Sequence, residues 1–141
     1  MRRALTIPRP VLAFRSLQGD LMRILIVDDS RAMRMIIRRS IRQAGLGDHE
    51  FMEATNGADA IDTILSNPPH VVMADWNMPE MSGMELLQNL ADLPFDGVFG
   101  FVTSESTDSM RALAVEAGAS FFVTKPFSST SLQRALGPWL S

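Results

Sequence analysis

Five short apolar runs, RILIV (23–27), EFMEA (50–54), HVVMA (70–74), VFGFV (98–102) and SFFVT (120–124), recur along the chain with helix-like stretches between them. The first, third and fourth are nearly continuous in hydrophobicity, as strands covered on both faces are. The stretches between them have helical period. In SRAMRMIIRRSIRQAG, Met33, Ile36, Ile37, Ile41 and Ala44 form an apolar stripe, Ser30 is placed to cap the helix and Gly45 to end it. Arg31, Arg34, Arg38 and Arg42 fall on the opposite face, which is either solvated or recognises a partner. Segments 58–66, 83–92, 108–117 and 129–136 supply four more helices. Strand and helix alternating five times predicts an α/β fold, a doubly wound five-stranded parallel sheet with five helices on its two faces.

The 141 residues, 46% hydrophobic and 21% charged, suit one globular domain with a full core. A net charge of −3 gives no general attraction to nucleic acid. The absence of cysteine excludes disulfides, thiolate metal sites and cysteine nucleophiles. No segment has the apolar length to span a bilayer, so no membrane insertion is expected. The first 22 residues are basic, with Arg2, Arg3, Arg9 and Arg15 against Asp20, but Pro8 and Pro10 interrupt them before a signal-peptide core can form. Residues 1–21 are expected to form a disordered extension ahead of an alternative start at Met22, or else an arm that touches a partner or a membrane. Residues 22–141 are expected to form the domain.

An open parallel sheet binds ligands outside the carboxyl ends of its strands. Those ends hold Asp28 and Asp29 after strand 1, Asp75 after strand 3, Thr103 after strand 4 and Lys125 after strand 5. Three carboxylates need more positive charge than one lysine supplies, and a hard divalent cation with oxygen ligands, typically Mg²⁺, is the natural supplement. Such a metal also suits phosphate, because it neutralises phosphoryl oxygens and leaves a carboxylate free to attack. Lys125 is the sole lysine beside twelve arginines, which gives its compact ammonium a positional role, and the Lys125–Pro126 bond is a candidate for the cis form. Singly, these residues have plainer readings: acidic residues suit a helix N-terminus, threonine is common in strands, and Phe122 is a core aromatic.

The blocks LIVDDSRAMR, ADWNMPEMSGMELL, VTSES and FFVTKPF, in this order and spacing, resemble the receiver domain of two-component response regulators, most closely its single-domain, CheY-like chemotaxis type. The likeness covers about residues 22–136. It implies the strand order 2-1-3-4-5. It also implies that Asp75 accepts a phosphoryl group from a sensor histidine kinase or histidine phosphotransfer protein, and that Asp29 and Asp75 ligate Mg²⁺ directly. Asp28 would act largely through water, and the backbone carbonyl of Asn77 would complete the protein's share. Lys125 would pair with Asp75 and then with phosphoryl oxygens; Thr103 would donate its hydroxyl to them. Phe122 would turn inward behind Thr103 and alter the surface of helix 4, strand 5 and helix 5, where a downstream protein binds. Asn77 and Glu105 would tune self-dephosphorylation, and Trp76 would report on metal and phosphate.

Three features depart from that pattern. Phe122 stands where the chemotaxis type has tyrosine, Ser104 stands where alanine is frequent, and Gly137 and Pro138 fall in the last helix, which is expected to end near Leu136 or to kink, with Trp139 and Leu140 folded back. Sixteen residues follow Lys125, so no separate output domain is expected. The reading is a cytoplasmic, monomeric, stand-alone phosphoacceptor whose chemistry is confined to itself, and not an enzyme. Its rivals are a Mg²⁺-dependent aspartyl-phosphate phosphohydrolase and a receiver-like binding module that works without phosphorylation. The phosphohydrolase reading lacks a general acid, since Asn77 stands two residues beyond the nucleophile.

Overall fold

The computed structural model describes residues 21–140; the expectation for the N-terminal extension falls outside them except at Leu21. Five parallel strands, β1 Arg23–Val27, β2 Glu50–Ala54, β3 Val71–Ala74, β4 Val98–Thr103 and β5 Phe121–Thr124, form one sheet in the order β2-β1-β3-β4-β5. The helices alternate with them: α1 Arg31–Gln43, α2 Gly57–Ser66, α3 Gly83–Leu90, α4 Asp108–Glu116 and α5 Ser129–Leu140. Every strand end lies within one residue of the sequence-based expectation, and the strand order is the one the resemblance implies.

The unbroken apolar runs follow from burial on both faces. Along β1, Ile24 and Ile26 pack with Ile37 and Ile41 of α1 and with Leu132 and Leu136 of α5. Leu25 and Val27 face the other way, into a core with Ile64 of α2, Leu86 and Leu90 of α3 and Ala114 of α4. Four helices start on a side-chain cap: Ser30, Asn56, Ser82 and Thr107 each accept from a main-chain N–H three residues on, and Ser82 forms a reciprocal capping box with Glu85. Gly45, at φ 75°, ends the α1 region as expected. Gly100 faces Phe121 across the β4–β5 pairing, and a Cβ there would lie 2.2 Å from the ring. Because β1 is flanked by β2 on one side and β3 on the other, the loops leaving β1 and β3 diverge and open a crevice at their carboxyl ends.

Two expectations are corrected. Arg34 is buried, while Ile36 and the neighbouring Met35 are exposed. Positions 34, 37, 41 and 44 recur at three- and four-residue spacing, so Arg34 shares the inward phase that Ile36 lacks. Its charge finds partners at the edge strand β2 and at the end of β1. In addition, α5 does not end at Leu136 but runs to Leu140 with Pro138 inside it. Proline in a helix forfeits one main-chain bond and costs about 3 kcal/mol in an interior turn. Against this, Leu140 continues the buried Leu132–Leu136 row and Trp139 packs on the same core; a buried leucine alone contributes about 1.5–3 kcal/mol.

This balance predicts opposite effects from neighbouring substitutions. Pro138→Ala should raise the urea unfolding free energy by about 1–3 kcal/mol, whereas Leu140→Ala should lower it by about 2–4 kcal/mol.

Candidate functional site

The sheet's own hydrogen-bond ladder sets the positions of the charged residues just beyond it. The Asp28 N–H donates to the Ala54 carbonyl at 3.1 Å, the Asp75 N–H to Val27 at 3.0 Å and the Lys125 N–H to Thr103 at 2.8 Å. Each side chain is therefore fixed one step past the last strand residue, on the crevice side of neighbouring strands. Lys125 Nζ donates to Asp28 Oδ2 at 2.9 Å and to Asp75 Oδ2 at 3.2 Å. Asp28 is buried and Asp75 partly so, while Asp29 is exposed at the mouth. The Lys125–Pro126 peptide is cis.

Asp28, Asp29 and Asp75 each offer a carboxylate oxygen, all within 4.8 Å of one another. Three hard oxygen donors at this spacing, one of them open to solvent, are the donor set that a small divalent cation takes. The residues fit a metal of that class. Around Lys125, burial alone would lower the pKa; the hydrogen bond to Asp28, its charge and that of Asp75 outweigh it and hold the ammonium above the ordinary 10.5.

The loop after β3 is shaped by close backbone packing. Gly83, the first residue of α3, donates to the Trp76 carbonyl at 2.8 Å. A Cβ on Gly83 would lie 2.2 Å from the Asp75 carbonyl oxygen, so the helix can come this near the acidic residue only through glycine. Trp76 lies against Phe101, with ring centroids 4.8 Å apart, and Phe101 lies 5.9 Å from Phe122. Across the mouth, the Asn77 side-chain amide donates to Glu105.

Thr103 and Phe122 occupy the side of the cluster toward α4. Thr103 is fully buried and its hydroxyl has no hydrogen-bond partner. Phe122 is half-buried, and the Arg111 guanidinium covers its ring at 4.7 Å while donating to Thr124 Oγ1 at 2.9 Å.

The structure thus gathers Asp28, Asp29, Asp75 and Lys125 into one cluster. Thr103 adjoins it through the main-chain bond to Lys125, and Asn77 lies at its rim. Sequence reasoning missed Arg34, Arg111 and Gly83. The signal for Arg34 was its spacing from Ile37, Ile41 and Ala44; Arg111 had none, because cation–π pairing between a helix and a strand leaves no local pattern.

Two predictions follow from these side chains. An unpartnered buried hydroxyl destabilises a fold, so Thr103→Val should raise the unfolding free energy by about 1–2 kcal/mol in chemical denaturation. A group whose pKa is raised in the folded state adds stability that is complete below its unfolded pKa and is lost as pH rises through the folded value. Lys125→Met should therefore lower stability by roughly 2–3 kcal/mol at neutral pH. That deficit should stay constant up to about pH 10 and shrink only above the ordinary lysine pKa of 10.5.

The chain resembles known proteins in sequence and in fold. Residues 24–137 match the family model of the response regulator receiver domain. Over 118 residues the chain is 35% identical to a chemotaxis protein CheY homolog of Campylobacter jejuni, covering 82% of this chain and 89% of that protein. The chemotaxis response regulator CheY4 of Vibrio cholerae has a similar structure, with a TM-score of 0.72 at 25% identity, over 85% of this chain and 99% of that one. A DNA-binding response regulator of the LuxR family from Staphylococcus aureus gives 0.74 at 25% identity, over 86% and 100%. With the family model matched over residues 24–137 and a relative 35% identical over most of both chains, the chain belongs to the family of response regulator receiver domains.

Proposed function

We propose that this chain is a cytoplasmic, monomeric response regulator receiver that takes a phosphoryl group on Asp75 from the phosphohistidine of a sensor histidine kinase or phosphotransfer protein. The observation that carries the reading is Asp75 itself. It is a partly exposed carboxylate bridged through Lys125 to Asp28 and grouped with two further acids at the sheet's carboxyl edge. Asp29, Asp75 and the Asn77 backbone carbonyl would hold Mg²⁺ directly and Asp28 through water. When bound, the ion would neutralise phosphoryl charge and align the group for in-line transfer.

Asp75 attacks phosphorus through a carboxylate oxygen; an O–P bond forms as the donor's P–N bond breaks, and the leaving imidazole recovers its electron pair. Lys125, already within hydrogen-bond reach of Asp75, follows the new negative charge. The buried Thr103 hydroxyl has a donor to spare and gives it to a phosphoryl oxygen. Phe122 then moves into the space Thr103 leaves and must slip from beneath Arg111. Two shallow grooves of about 490 and 540 Å³, both lined by Phe122, Ser128 and Ser131, lie on the α4–β5–α5 face, where a downstream protein in a chemotaxis-like or relay output would bind. Asn77, held by Glu105, offers no general acid, which disfavours a phosphohydrolase acting on other molecules.

Intact-protein mass after incubation with Mg²⁺ and acetyl phosphate tests the proposal. The wild-type chain should gain one phosphoryl group, and Asp75→Asn or added EDTA should abolish the gain. An unmodified wild-type chain that also stays unmodified with a phosphohistidine donor would favour the phosphorylation-independent binding module.

A further inference from the structure

Asp28 has all four of its polar groups engaged. Its N–H donates to Ala54, Oδ1 accepts from the Ser30 N–H at 2.8 Å, and Oδ2 accepts from Lys125 at 2.9 Å. Its carbonyl oxygen accepts from Arg34 Nη1 at 2.6 Å. Arg34 is in turn oriented by Glu53 on β2, whose Oε1 takes its Nε–H at 2.7 Å and whose Oε2 takes Arg38 at 3.1 Å. The neighbouring Asp29 is held quite differently. Among the described residues no hydrogen bond or ion pair holds its carboxylate, so its direction depends on the backbone that carries it.

We infer that Arg34 is a positioning residue for the acidic cluster: by gripping the planar Asp28–Asp29 peptide through its carbonyl, it aims Asp29 at the site it shares with Asp75. The inference rests on the reading of that cluster as a Mg²⁺ site. A buried guanidinium is a costly way to fill an apolar stripe, where another isoleucine would pack α1 as Ile37 and Ile41 do. What it adds is a charge-assisted bond to one carbonyl, with a second N–H in a different direction for Glu53. Lysine, with one tetrahedral ammonium, does not reproduce the planar fork in which Nε and Nη1 each meet a separate partner. Residues that orient metal ligands from behind commonly change metal affinity 10- to 100-fold when replaced.

The test is a Mg²⁺ titration of the full chain followed through the backbone amide resonances of Asp29, Ser30 and Asp75, with the melting temperature of the metal-free protein measured alongside. Arg34→Met and Arg34→Lys should raise the Mg²⁺ Kd by about tenfold or more. Arg38→Met, which removes only the outer arm of the Glu53 pairing, should leave Kd within about twofold whatever it does to melting. Should Arg34→Met fail to fold, Arg34→Lys decides, since it keeps the charge and the aliphatic stem. Folded Arg34 variants that bind Mg²⁺ like the wild type, with only the melting temperature lowered, would overturn the inference and leave Arg34 a structural ion pair. A wild-type chain without any Mg²⁺ response would overturn the metal reading and this inference together.

Discussion

Crowding of negative charge at the carboxyl edge of the sheet is the constraint on which the remainder of the structure depends. Asp28 and Asp75 have carboxylate oxygens within 4.8 Å of each other, and at an effective dielectric near 20 two such charges repel by about 3.5 kcal/mol. Neither can move away, because each is pinned by a main-chain bond that continues the strand ladder. The repulsion is met by a single ammonium placed between them, delivered from the far edge of the sheet by β5. Asp29 adds a third charge that Lys125 does not reach. The three carboxylates therefore outnumber the one ammonium that meets them, which is the charge balance a divalent cation would correct.

The same geometry links the site to the α4 side of the molecule. The Thr103 carbonyl holds the Lys125 main chain, while the Thr103 hydroxyl is buried without a partner. A fold that kept this position only for packing would be better served by valine. Behind it, Phe122 can make no hydrogen bond of its own, so its position is decided by packing and by the Arg111 guanidinium over its ring. Arg111 is tied to Thr124, the residue immediately before Lys125. One short strand and the residue after it thus carry the aromatic that Arg111 covers, the anchor for Arg111 and the cation of the acidic cluster.

Much of this was legible in the sequence, for reasons that are local. The strands of the sheet centre are buried on both faces, so RILIV and HVVMA had to be apolar throughout, and the residues after them had to be where chemistry could sit. The acids at 28, 29 and 75 and the lysine at 125 could be read because strand ends fix their relative placement before any side chain is positioned. What escaped was non-local. Arg34 was misread as part of the outward face because its charge outweighed its helical phase, and its partners, Glu53 and the Asp28 carbonyl, lie on other elements. The end of α5 was misread because Pro138 is a local helix breaker, whereas the burial that carries the helix past it belongs to a core formed with β1 and α1.

The β1–α1 junction makes the acidic cluster and α1 one mechanical unit. Ser30 caps α1 by accepting from the Met33 N–H while its own N–H holds the Asp28 carboxylate, and Arg34, one turn on, returns to hold the Asp28 carbonyl. The first turn of α1 therefore cannot shift without displacing Asp28, nor Asp28 without straining two bonds in that turn. The exposed face of the same helix carries Met35 and Ile36 among Arg31, Arg39 and Arg42, a mixed apolar and basic surface. Arginine at position 34 stiffens this junction, since its two engaged N–H groups tie α1 both to the strand end that bears the acids and to the sheet edge beside it.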